Sequence, residues 1–404
     1  MKICIHTQYY LPEIGAPQAR LSELAKFLNK NDNEVTILTS LPNYPTGKIF
    51  DGYPNFFKEE RIDGIKVIRS FIYPSKSKKI VPRLLSYFSF VISSLIIGII
   101  KISKQDIILT ESPPLFLGFS GFVLSKIKGA KWIFNVSDLW PESAVFLGII
   151  KNGFVLNISK KLEEFFYKNS WLIMGQSREI VNNIKQRFPY LNVYRYSNAV
   201  DTDKYNPANA GTFFNQFKMK KKIKIVYAGL HGMAQGLEQV IDCLKYLETS
   251  YFSKCHIFFI GDGPEKEFLI NKSNEIVNCP ISFIHPQPKV TMPQIWASSD
   301  IAIIPLKKYI PGAVPSKLYE AMSSGVPIIM ISSGESKKIV NESECGITVN
   351  PGDLKGVSDS ISRLIFDKDL REKMGSNGRK YVKTHFRRSI INKEFLEYLE
   401  KNDN

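Results

Sequence analysis

The chain predicts an α/β fold built twice over, as two Rossmann-like doubly wound domains facing one another across a cleft. Three observations carry that expectation. Short β-branched runs alternate with amphipathic stretches through the whole length, as in βαβ units around parallel sheets. The alternation breaks at a polar, strand-poor stretch, 197–222, and then restarts. The length of 404 residues, 44% hydrophobic and 23% charged, suits two domains of roughly 150 to 200 residues. It excludes a disordered, collagen-like or disulfide-stapled chain.

In the first series, strands are expected at 2–7, 35–40, 67–70, 107–111, 132–136 and 171–176, with helices such as 17–29 and 155–168 between them. The stretch holding Asn206-Pro207, Gly211 and the lysine-rich run 218–224 marks the boundary, giving domains at 1–200 and 201–375. The second series places strands at 225–229, 256–261, 281–285, 301–305, 328–332 and 346–349. Beyond Asp353 the pattern is helical to the end, and the tail 376–404 is expected to pack back toward the first domain. Two such domains bind ligands at the carboxyl ends of their strands.

Five widely spaced cysteines, with no CxxC and no histidines at metal-ligand spacing, point to a reducing compartment and no structural metal. The formal net charge is +16, and residues 1–200 hold 26 basic against 15 acidic residues. An anionic partner for that half follows. No nucleic-acid module with aromatics interleaved on basic strands is present, so an anionic membrane surface is favoured over nucleic acid. The N-terminus lacks the order of a signal peptide, which predicts a cytoplasmic chain. Residues 84–100 carry no charge over 17 positions, at the lower limit for a membrane span. The serines 86, 89, 93 and 94 with Gly98 favour a helix packed in or on the domain, with a true span as the alternative.

The first strand leads into Gly15-Ala16-Pro17 and a helix bearing Arg20. Two readings fit: a glycine that lets an anion reach free helix amides, or an ordinary turn with proline in its usual place. Residues 229–237, with Gly229, His231, Gly232, Gln235 and Gly236 between strand and helix, suit a phosphate-cradling turn or a flexible loop. Gly261-Asp262-Gly263 follows the next strand, and two glycine turns on one sheet edge favour a nucleotide site. Pro315-Ser316-Lys317 opens a helix with Ser316 as the expected N-cap. Lys317 then sits where the helix dipole disfavours a cation, which suggests an anionic ligand, and Glu320 lies one turn on, placed to accept from ribose hydroxyls. Asp138, Trp140 and Glu142 follow an apolar strand, so the carboxylates orient a sugar or, alternatively, Asp138 caps a helix.

Taken in order, these residues resemble those of retaining glycosyltransferases of family 4 with the two-Rossmann (GT-B) fold, most closely the WbuB-like branch that builds bacterial surface polysaccharide such as O-antigen or capsule. The resemblance covers nearly the whole chain. It rests on Gly15 with Arg20, Asp138-Leu139-Trp140-Pro141-Glu142, Ser197-Asn198-Ala199-Val200-Asp201, the turns at 229–237 and 261–264, Pro315 through Met322, and Gly325-Val326-Pro327.

The resemblance implies a UDP-sugar donor in the second domain, an acceptor in the first, and transfer with retention. It gives Glu320 to the ribose hydroxyls. Lys317 and the Gly232 and Gly236 backbone receive the pyrophosphate, with Gln235, Gly261, Gly263, Pro315, Ser316 and Gly15 completing the donor side. Asp138 stands beside the sugar and, with Lys317, forms the catalytic pair. Arg20, Trp140 and Glu142 lie on the acceptor side. Neither a metal nor a further cofactor is implied, and the leaving phosphate helps to deprotonate the acceptor. The implied acceptor is a polyprenyl-diphosphate saccharide, met peripherally at the inner face of the cytoplasmic membrane. The apolar segments 84–100 and 113–124, with Lys76, Lys78, Lys79, Arg83, Lys126, Lys128 and Lys131 beside them, suit that place.

Three departures stand out. Gly312 occupies the place of the family's first motif glutamate, eight residues before Glu320; Ser137 replaces the common histidine; and His231 and Gln235 fall where a basic pair is usual. The implied donor sugar is an N-acetylated 6-deoxyhexose such as N-acetylfucosamine. A UDP-sugar 2-epimerase and a non-catalytic nucleotide-sugar-binding scaffold are the alternatives on the same fold.

Overall fold

The computed structural model describes residues 1–77, 79–146, 153–217 and 222–402. Lys78 and positions 218–221 of the linker run lie outside the described residues. The chain divides into two compact units, Met1–Ser197 with Asn392–Asn404, and Asn198–Ile391.

The first unit runs β1 (Lys2–His6), α1 (Ala16–Lys30), β2 (Glu34–Ser40), β3 (Phe57–Ile62), β4 (Ile65–Ser70), α2 (Ile80–Lys101), β5 (Ile107–Ser112), α3 (Leu117–Lys128), β6 (Lys131–Val136), α4 (Glu142–Phe146), α5 (Gly153–Asn169), β7 (Leu172–Gly175), α6 (Arg178–Arg187) and β8 (Val193–Arg195). Its eight strands lie in the order β3-β4-β2-β1-β5-β6-β7-β8, parallel except for β3 against β4. Ile3, Cys4 and Ile5 on β1 and Ile107, Ile108 and Leu109 on β5 are buried, as expected for central parallel strands covered on both faces. Helix α1 lays Leu21, Leu24, Ala25 and Leu28 into this core, one face of a helical repeat.

Strand β3 was not anticipated from the sequence. Its residues, Phe-Lys-Glu-Glu-Arg-Ile, are half-buried or exposed, so they lack the apolar pattern of an inner strand. What makes it a strand is the two-residue turn Asp63-Gly64, with φ of 51° and 80°, which reverses the chain into β4. Short β8, at the opposite edge, was also missed.

The second unit contains β9 (Ile223–Ala228), α7 (Glu238–Asp242), β10 (Cys255–Ile260), α8 (Lys266–Asn274), β11 (Ile281–Ile284), α9 (Met292–Ala297), β12 (Ile301–Pro305), α10 (Ser316–Ser323), β13 (Ile328–Ile331), α11 (Glu335–Ser343), β14 (Gly346–Val349), α12 (Leu354–Phe366) and α13 (Lys368–His385), and the last helix, α14 (Arg388–Lys401), begins in it and belongs to the first unit from Asn392 on. All six strands are parallel, in the order β11-β10-β9-β12-β13-β14. The chain winds outward from β9 in one direction and from β12 in the other. Between β9 and β12 it therefore leaves a crevice at their carboxyl ends.

The division falls at Ser197, three residues before the expected boundary. Of the expected tail 376–404, only Asn392 onward joins the first unit: the Tyr196 hydroxyl donates to Asn392 Oδ1 at 2.7 Å, and Phe395 and Tyr398 stack on Tyr194. Helix α13 stays with the second unit. Its C-cap residue Phe386 packs on Tyr319 of α10 with ring centroids 4.5 Å apart.

Candidate functional site

In the second unit, the turn after β9 carries Gly232, Gln235 and Gly236, and the helix after β12 carries Ser316, Lys317 and Glu320, all expected donor residues, at the crevice. Lys317 is the second residue of α10, and its Nζ donates to the Tyr227 hydroxyl at 2.8 Å while lying 4.0 Å from that ring's centroid. The Tyr227 hydroxyl in turn donates to the Leu230 carbonyl at 2.6 Å, so its one proton is committed and its lone pair faces the lysine. A Cβ on Gly229 would stand 2.7 Å from Lys317 Nζ, so the glycine leaves room for the amine. Tyr227 and Gly229 together make a socket for Lys317.

Burial draws the Lys317 ammonium down to about 7, against the pull of the Glu320 carboxylate one turn along. Desolvation destabilises the charge more than the Glu320 carboxylate supports it, so a diphosphate arriving here would add counter-charge. Glu320 is oriented by the Trp296 indole, whose Nε1 donates to its Oε2 at 3.1 Å.

The second glycine turn backs the first. A Cβ on Gly261 would collide with the Gly229 carbonyl, and one on Gly263 with the His231 backbone, so two chain segments touch where only glycine fits. The His231 amide donates to the Asp262 carbonyl at 2.8 Å, and Glu265 donates back to the His231 carbonyl at 3.0 Å. The His231 ring is fully buried and neither nitrogen has a hydrogen-bond partner. Burial, helped by Lys266 and Lys317 and opposed by Asp262, lowers it to about 4. The imidazole at 231 is therefore neutral, and the amines near these turns are those of Lys317 and Lys266, the latter donating to the Gly261 carbonyl at 3.1 Å. Gln235 Oε1 is also buried without a partner beside Gly232. Gly236, at φ 61°, turns the chain toward α7.

Two details differ from expectation. Ser316 does not cap α10: Pro315 is the N-cap, with no side-chain capping bond, and Ser316 is the first helical residue. Gly312, at φ 72°, is buried in the loop before it, where the Ser336 hydroxyl holds the Ala313 carbonyl at 2.9 Å. A hollow of about 330 Å³ lined by Phe217, Phe283 and His285 lies at the edge strand β11. It is two strands from the β9/β12 crevice, and the charged and glycine-rich groups are at the crevice.

The equivalent crevice of the first unit lies between β1 and β5. Arg20 of α1 is there but does not present its charge to a ligand. Its Nη2 donates to both oxygens of Glu111 at 2.7 Å and to Ser137 Oγ at 3.1 Å, and both ion-pair partners are at most 2% exposed. Arg20 thus has its charge met by Glu111 and braces the turn after β6 through Ser137. Asn135 and Ser137 also donate to Glu111, and Gln176 to Ser137, which accounts for a serine at 137.

Glu111 was missed in the sequence. The signal was a carboxylate closing an otherwise apolar strand, Ile-Ile-Leu-Thr-Glu-Ser, which must find a partner once buried. Asp138 follows on this braced turn. Its carboxyl is held above the usual range by burial and by the Glu111 carboxylate, with Arg20 opposing.

Trp140 packs its ring against Phe116. Glu142 faces Arg187 at 3.8 Å, and Arg187 also pairs with buried Glu163 at 2.6 Å. Gly15 is the N-cap of α1 in extended backbone, φ 177°. Among the described residues no group of three or more His, Cys, Asp or Glu is arranged to hold a metal ion.

Residues 211–381 match the family model described as glycosyl transferases group 1, so the second unit carries a domain of that kind. The chain is 22% identical to an uncharacterized glycosyltransferase of Methanocaldococcus jannaschii, MJ1069, over 99% of this chain and 98% of that one. It is 25% identical to WcaI of Escherichia coli K12, a putative colanic acid biosynthesis glycosyl transferase, over 80% of this chain and 82% of the other. The solved structure of Anabaena Alr3699/HepE in complex with UDP aligns at a TM-score of 0.74 over 99% of this chain and 100% of that one, with 16% identity. That likeness gives the fold class: two Rossmann-like domains with parallel sheets, as in GT-B proteins.

Proposed function

We propose that the group 1 domain of this chain binds a UDP-sugar at the β9/β12 crevice, and that the chain transfers the sugar, with retention, to a polyprenyl-diphosphate-linked saccharide during bacterial surface polysaccharide assembly. The observation that carries the donor side is the Lys317 socket, a half-buried amine short of counter-charge at the switch point of a doubly wound sheet. The UDP held by the Anabaena protein and the polysaccharide role of the Escherichia coli relative support the choice of nucleotide and pathway class.

Lys317 and the Gly232 and Gly236 amides take the diphosphate, whose charge grows as the bond to the sugar breaks. Gln235, Gly261, Gly263, Pro315 and Ser316 shape the turns around it, and Glu320 takes the ribose hydroxyls. Asp138 positions the acceptor, with Trp140 and Glu142 nearby, and the leaving phosphate receives the acceptor's proton. The donor sugar in this reading is an N-acetylated 6-deoxyhexose. The chain works peripherally at the inner face of the cytoplasmic membrane, without a metal.

Purified protein given UDP-sugars and a short-chain lipid-diphosphate saccharide should form product of the donor's own anomeric configuration, read by NMR, and activity should persist in chelator. Gly312 in place of a motif glutamate favours a second reading, a non-catalytic nucleotide-sugar scaffold. Donor binding with neither hydrolysis nor transfer would select that reading.

A further inference from the structure

Helix α2 is apolar on its outer face as well as its inner one. Ser86 and Ser94 are buried, Ser93 donates to Ser70 Oγ at 3.1 Å, Ser94 meets His6 Nε2 at 3.1 Å, and a Cβ on Gly98 would press on Leu38 and Leu124. Phe90 and Val91 are buried beside them, but a second set of bulky residues points the other way: Val81 is 67% exposed, Ile92 58%, Ile96 52% and Ile100 67%, at helical spacing along one face. A water-facing helix carries its polar side chains outward. Here small and polar groups pack on the sheet, and a continuous apolar stripe faces away from it.

The charge around that stripe indicates what covers it. Among the described residues from Tyr73 to Val136 there are eight Lys or Arg, at 76, 79, 83, 101, 104, 126, 128 and 131, and two acidic residues, Asp106 and Glu111. Glu111 is consumed by Arg20, and Asp106 accepts from the Lys2 amide. Lys79 and Arg83 stand at the start of α2 and Lys101 at its end. Lys128 of the neighbouring α3 bonds the Ile99 carbonyl at 2.7 Å. A second copy of this chain would bring the same positive collar against itself, which like-charge repulsion opposes. An anionic lipid surface matches both the apolar stripe and its basic rim.

We infer that α2 lies in the plane of an anionic bilayer with its Val81-to-Ile100 face immersed, as a monotopic anchor and not as a span. The inward serines and Gly98 tie the helix into the layer over β2 and β4, so it cannot cross the bilayer while the unit stays folded. This names the element behind the membrane location proposed above and rests on that reading.

The test uses full-length protein and sedimented vesicles, either all phosphatidylcholine or with three parts in ten phosphatidylglycerol. Partitioning should rise about tenfold with the anionic lipid. The double variant I92S/I96S should lose about tenfold in partitioning at unchanged melting temperature and unchanged stabilisation by UDP. Tryptophans placed singly by V81W, I92W and I100W should be quenched to the same shallow depth by brominated lipids. Deep quenching at I92W with shallow ends would establish a span, and a wild-type dimer abolished by I92S/I96S would establish a second copy as the cover. Either result, or no vesicle binding by the wild type, overturns the inference. Because UDP stabilisation is read without lipid, it fails or succeeds independently of the anchor.

Discussion

Each unit places a cation at the switch point of its sheet, and the two cations are treated in opposite ways. Arg20 is sealed against Glu111, with Asn135, Ser137 and Gln176 completing the cluster. Lys317 has a hydroxyl and an aromatic face, and its charge is destabilised by burial. One crevice has its cation in a direct ion pair, and in the other the carboxylate one turn along does not offset burial. Buried charge that is satisfied internally is architecture, and buried charge left short of a partner is where an anionic ligand is rewarded.

The largest effect expected from this comparison is on stability. Glu111→Ala strands the Arg20 guanidinium and should destabilise the protein by about 3–5 kcal/mol in chemical denaturation. Removing both charges, as Arg20→Met with Glu111→Leu, should recover a good part of that loss. Equal destabilisation in the single and double variants would remove the ion pair from the account.

Lys317→Ala should behave in the opposite way, keeping or raising the melting temperature while turnover falls about 10²–10³-fold, as when a donor to transition-state charge is lost. Glu320→Ala should weaken UDP binding by about 1.5–3 kcal/mol, the range for hydrogen bonds to a charged group, measured by calorimetry. Unchanged affinity would take Glu320 out of the ribose site. Tyr227→Phe removes the acceptor for Lys317 and should cost about fivefold in turnover, near 1 kcal/mol for one hydrogen bond.

A pH slope should accompany these. With Lys317 at about 7 in the free protein and raised by the bound diphosphate, the complex holds one more proton than the free protein above pH 7. Donor affinity should therefore weaken as pH rises from 7 to 9, relative to the profile of Lys317→Ala. Parallel profiles would mean that the lysine does not touch the diphosphate.

Most of the fold was legible because parallel strands buried on both faces write themselves as apolar runs such as Ile-Ala-Ile-Ile-Pro at β12. Strand β3 was hidden because an edge strand can be charged, and only Asp63-Gly64 gave it away. Lys317 and Glu320 were legible from their place at a helix start. Their controllers were not: Tyr227 and Trp296 read as core aromatics, and only the folded chain shows a hydroxyl and an indole aimed at charged groups. The same holds for Glu111 beneath Arg20. The segment 84–100 was visible as apolar, but which of its faces looks outward depends on where β2 and β4 lie.

The most direct test of the central claim is thermal stabilisation of wild type and Lys317→Ala by UDP, GDP and CMP, since a ligand that binds only the folded state raises its melting temperature. The account predicts a UDP-selective rise in the wild type that is largely lost in Lys317→Ala. No rise with UDP, or an equal rise in both proteins, would contradict it.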